Sequence, residues 1–157
     1  MNVRYLIPAG RSWQKRLLLV LAFVFMDYLV TAMLCRSPQN EATVPVAAWM
    51  RMYGIFPGLT AFFLLNAVIP LYAVITFVSH IAAHVKYERW VIGLAADLAF
   101  AVYIGGGRMY AVGTWLFNGA QSMWYIGTVL YLLLAFLINI SAVKAALSPS
   151  TTEVQTR

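Results

Sequence analysis

Four stretches of this chain are long and apolar enough to cross a bilayer, and lipid leaves each of them little choice of backbone. They run over about 17–35, 55–81, 90–104 and 123–143, and a crossing takes roughly 20 residues of helix. In hydrocarbon every backbone amide has to be satisfied inside its own segment, so the stretches are predicted to be helices. The expected fold is all-α: an integral membrane bundle of four transmembrane helices over 1–147, followed by a polar tail over 148–157. Composition agrees. With 62% hydrophobic and 10% charged residues the chain is unlike a soluble domain. A single cysteine, Cys35, excludes a disulfide scaffold.

The basic residues predict the orientation. Arg4, Arg11, Lys15 and Arg16 precede the first stretch, Lys86 and Arg89 join the second to the third, and Lys144 and Arg157 follow the fourth. Only Arg36, Arg51 and Arg108 fall on the other side. The positive-inside tendency then puts the protein in the cell membrane with both termini cytoplasmic. The first stretch is too long for a signal-peptide core and no Ala-x-Ala site follows it, so it reads as a permanent helix. Between the first two spans, residues 46–53 are expected to form a short interfacial helix, since Trp49 and Tyr53 favour headgroup level. The brief second connection makes helices two and three antiparallel neighbours. Gly105-Gly106-Gly107-Arg108 is expected to end helix three, with a connection over 109–122 that dips into the interface or re-enters the bundle.

Ionisable side chains in lipid are costly and mark functional candidates. Asp27 is expected near the midplane of helix one, with Thr31 one turn later on the same face. Asp97 is expected nearer the cytoplasmic end of helix three, within reach of Arg89 or Lys86 through water. Each is open to two readings, a neutral carboxyl hydrogen-bonded to a neighbouring helix or a proton or cation site. His80 and His84 share a helix face by their i, i+4 spacing and, with Asp97, outline a candidate metal or haem site, Glu88 being a distant fourth. Asn66 and Pro70 should kink helix two, with Asn66 donating across the bundle. The tryptophans, Trp13, Trp49, Trp90, Trp115 and Trp124, read as interfacial anchors.

Asp27-Tyr28-Leu29-Val30-Thr31, Glu41 and Gly54 occur in an order that resembles an uncharacterised family of small prokaryotic multi-pass membrane proteins, a domain of unknown function. There an Asp-x3-Thr helix precedes a Glu-x-Asn-Pro loop, a glycine and a second helix carrying a lysine. The resemblance covers about residues 17–80. Here Glu41 is followed by Ala42-Thr43-Val44-Pro45, and helix two has Asn66 but no lysine. The resemblance implies the topology and adds Glu41 to Asp27 and Thr31 as a loop acidic candidate; it implies no reaction.

Three functions fit these residues. The leading one is a non-enzymatic small subunit or homo-oligomeric membrane component, since a four-helix bundle with few interior polar groups has little room for a substrate path. The second is a proton- or cation-coupled carrier using Asp27, Thr31 and Asp97. The third is a metal- or haem-dependent membrane enzyme using His80, His84 and Asp97. Nucleic acid is not an expected partner, because the basic residues divide between two faces of the membrane.

Overall fold

A computed structural model describes residues 6–85, 89–117 and 121–147. Among the described residues there is no strand, and four helices are long and apolar enough to span a membrane. Helix α1 is Arg11–Leu34. A short α2, Val44–Tyr53, follows. Then come α3, Ile55–His84, and α4, Trp90–Phe117, and last α5, Gln121–Leu147. The bundle is the all-α arrangement expected; α3 and α4 begin where expected, but α1 begins earlier and α4 ends later. The 148–157 tail lies outside the described residues.

Helix α1 starts six residues before the apolar run does. Gly10, at φ 86°, turns the chain into it, and residues 6–9 run back along α3. There the Ala9 amide donates to Ser79 Oγ at 2.8 Å and the Tyr72 hydroxyl donates to the Leu6 carbonyl. Two consequences follow. Arg16 becomes a helical residue packed inside the bundle instead of part of the tail, and Trp13 turns into the core beside it, not to the interface. Asp27 is also not central in the longer helix. It sits about 24 Å from the start of α1 and only about 10 Å from its end, at ~1.5 Å per residue.

Helix α4 corrects a larger expectation. The glycines do not end it. The chain passes through Ala101–Gly106 as a π-helical turn and continues to Phe117, so most of the stretch expected to be a connection belongs to the third span. A helix through three glycines is intrinsically weak, and here packing holds it. A Cβ on Gly105 would lie 2.7 Å from the Gly127 carbonyl oxygen, and one on Gly127 would lie 2.2 Å from that of Gly105. Small residues let two backbones touch, which is how helices associate where lipid removes the hydrophobic drive. Helices α4 and α5 form the tightest pair. Helix α1 contacts α3, α4 and α5, whereas α3 and α4, though consecutive, share a small contact.

Helix α3 also holds a π turn, Leu64–Val68, just before Pro70. The proline ring deprives the preceding turn of an amide donor, and the wider turn accommodates this. Asn66 donates to the Phe62 carbonyl of its own helix at 3.1 Å, not across the bundle as expected. The short helix expected over 46–53 is present as α2. Gly54, at φ 91°, reverses the chain so that α2 packs onto the start of α3, where Gly58 leaves room for the Trp49 carbonyl.

Gly127→Ala should separate α4 from α5 and lower unfolding stability in detergent by about 1–3 kcal/mol, the usual cost of overpacking. Gly107→Ala, whose Cβ meets nothing within 4 Å, should be neutral or slightly stabilising. Thermal unfolding of both variants checks this, and equal effects would contradict the close crossing.

Candidate functional site

The intramembrane acids each have an arginine partner, in opposite halves of the bundle. Asp97 receives Arg16 through two parallel bonds, Nε to Oδ1 and Nη2 to Oδ2, both 2.8 Å. Arg16 is 6% exposed and Asp97 5%. The Arg16 guanidinium also donates to Ser12 Oγ at 2.6 Å and to Asn139 Oδ1 at 3.1 Å, and lies over the Trp13 ring. Asn139 Nδ2 returns a bond to Asp97 Oδ2 at 3.1 Å. Residues of α1, α4 and α5 thus satisfy one another in a closed set. Gly93, four residues before Asp97 on α4, makes room for it: a Cβ there would stand 2.9 Å from Arg16 Nη2. The expectation that Asp97 reaches Arg89 or Lys86 through water is replaced by this direct pair, and Lys86 lies outside the described residues.

Asp27 is held differently. Arg108 Nη1 donates to its Oδ2 at 3.0 Å, a single contact, with the arginine side chain 32% exposed and the aspartate 13%. No hydrogen bond reaches Asp27 Oδ1 from the described residues. Arg108 is the second residue after the π turn of α4; such a turn shifts the facing of every later side chain relative to a regular helix, and here Arg108 faces α1. Beside this pair lies a cavity of about 380 Å³. Its polar lining includes Asp27, Thr31, Glu41 and Asn66, and its aromatic lining Tyr28, Phe62, Phe63, Tyr110 and Trp115. The Tyr28 hydroxyl is tied to Thr60 Oγ1 at 2.9 Å, and its ring packs on Phe63 at 4.7 Å between centroids, which fixes that wall. Glu41 Oε1 accepts the Thr43 amide at 2.9 Å, an Asx-like local turn that holds the carboxylate at the cavity rim.

The candidates therefore separate into two groups. Asp27, Thr31 and Glu41 are brought together around one cavity. Asp97 is not among them and belongs to the other half. His80 and His84 also stand apart from Asp97: His80 Nε2 donates to the Ile7 carbonyl at 3.1 Å, and His84 Nδ1 donates to the His80 carbonyl at 2.7 Å. Among the described residues no three His, Cys, Asp or Glu side chains gather as a metal would need. Glu88 lies outside those residues. Three partners escaped the sequence reading: Arg16, assigned to the tail, Arg108, assigned to a helix end, and Asn139 in the fourth span. The signal that finds the two arginines is charge pairing, since an ionised acid in lipid is stabilised by a nearby cation.

No protein-family model, curated protein or solved structure matches this chain. What it is stands on its composition and geometry: four apolar spans make it a multi-pass membrane protein.

Gly93→Ala should displace the Arg16 guanidinium, and Asn139→Leu should remove one of its acceptors. Each is expected to lower unfolding stability by about 1–3 kcal/mol. Chemical unfolding of the purified protein checks both, and full wild-type stability in both variants would contradict the closed network.

Proposed function

We propose that this protein is a non-enzymatic ligand-binding component of the cell membrane, working through the cavity beside Asp27 and Arg108. The observation that carries the reading is the convergence of Asp27, Thr31 and Glu41 with Arg108 around one space of about 380 Å³. That size lies in the range of small-molecule sites, which are mostly apolar with a few converging polar groups. The Arg16–Asp97–Asn139 set has the opposite character: every charge in it is matched and shielded, as a structural node is. The excess of Lys and Arg on the terminal side favours cytoplasmic termini, with residues 35–54 and the cavity beside them toward the other face. Arg16 and Arg108 both belong inside the bundle, and omitting them from the count leaves the bias unchanged.

A second reading, membership in a homo-oligomer or larger membrane assembly, draws on the outer face of α5. Ile126, Leu130, Leu133 and Leu137 form a ridge at helical spacing there, and each is exposed. Lipid covers such a ridge as readily as a protein does, so it ranks behind the cavity.

Cysteine accessibility in proteoliposomes tests the cavity. Ala111 lines it and Leu133 faces outward. The native Cys35 is a quiet background, because burial first and the Glu41 charge second push its thiol above the usual range, leaving little thiolate near neutral pH. A membrane-impermeant methanethiosulfonate cation should label Ala111→Cys at least about tenfold faster than Leu133→Cys, since thiolate forms where water reaches. Equally slow labelling of both would overturn the reading.

A further inference from the structure

We propose that the cavity takes a small organic cation, an ammonium carried on an apolar body, with Asp27 and Glu41 as its charge partners. The inference rests on the reading of that cavity as the working site. Its formal charges are two carboxylates, Asp27 and Glu41, against one guanidinium, Arg108, so one negative charge is left for a ligand to match. Both carboxylates line the same cavity, and like charges sharing a site disfavour one another. A cation between them relieves that repulsion, whereas an anion adds to it.

The pairing of Arg108 leaves Asp27 available. It uses one nitrogen and one oxygen, and Asp27 Oδ1 has no hydrogen-bond donor among the described residues. Glu41 has its Oε1 held by the Thr43 amide, and Oε2 has no partner among the described residues. An ammonium carries several N–H donors, and each of these oxygens is an acceptor for one. The remaining wall suits the rest of the molecule: Tyr28, Phe62 and Trp115 present aromatic rings to the same space, and ring faces attract cations while the rings bury an apolar body. An inorganic cation makes no use of that wall. Thr31 and Asn66 add further polar atoms to the lining.

Benzylammonium and benzoate, similar in size and opposite in charge, discriminate the possibilities. Both are titrated into proteoliposomes bearing Ala111→Cys, with protection from the impermeant methanethiosulfonate as the readout. Benzylammonium is expected to slow labelling with saturation and benzoate is not. Asp27→Asn should weaken that protection about tenfold or more, as expected for a lost charge-assisted contact. Asp27→Asn also frees Arg108, so Glu41→Gln, on the connection and outside the spans, serves as the second variant and should weaken protection by several-fold. Protection by benzoate that is lost in Arg108→Gln would overturn the cation assignment and leave the cavity standing. So would rapid labelling that neither probe slows, or protection by benzylammonium unchanged in both carboxylate variants. Failure of Ala111→Cys to label at all removes the cavity itself, and this inference falls with it.

Discussion

Two opposite charges held in lipid at one point set the terms for this fold. Moving either Arg16 or Asp97 alone from water into a bundle interior costs several kcal/mol, and their attraction offsets that only with good geometry and the remaining donors and acceptors satisfied. Here the geometry is bidentate, and Ser12, Asn139 and the Trp13 ring complete the surroundings of the guanidinium. Because the members come from α1, α4 and α5, the pair fixes how those three helices are rotated and where along their axes they meet. The Gly105–Gly127 crossing then brings α4 and α5 to backbone contact on the same alignment.

The second pair shows what a looser version of the same chemistry permits. Asp27 and Arg108 share one bond, and the arginine is partly open. Less desolvation means less strength and more availability, which suits a binding site and not a clamp. The two π turns belong to this half. The one in α3 puts Asn66 and Ala67 on the cavity wall, and the one in α4 immediately precedes Arg108. Wide turns of this kind cost helix regularity and are found often at functional positions. Here they adjust the facing of two helices around one space, while the half near Arg16 stays tightly packed.

The bundle and its four spans were legible because hydrocarbon constrains a chain so strongly: length and apolar composition suffice to find such helices. Asp27 and Thr31 were legible as neighbours from their helical spacing, and Glu41 lines the same cavity. The boundaries were less so. Arg11–Arg16 looks like a solvated tail because its charges are close together, and only the positions of Asp97 and Asn139 on other helices make a buried place for one of them. Gly105–Gly107 looks like a helix end because glycine is a poor helix former, and only Gly127 on α5 makes glycine the best residue at 105. Pairing across helices is a tertiary property, and no local pattern contains it. His80 and His84 illustrate the reverse case: their spacing suits a metal, but the chain preceding α1 lies against His80 and gives it a carbonyl to bond.

Double-mutant cycles on the two arginine–aspartate pairs test the central claim most directly, with unfolding free energies measured in mixed micelles for Arg16→Met with Asp97→Leu and for Arg108→Met with Asp27→Leu. The account predicts coupling above about 2 kcal/mol for Arg16 and Asp97, with the double variant more stable than either single one, because each single change leaves a buried charge alone. For Asp27 and Arg108 it predicts coupling below about 1 kcal/mol, as for a partly exposed single contact. Equal coupling in the two pairs, or no penalty for Arg16→Met alone, would contradict the division of this bundle into a locked half and an available one.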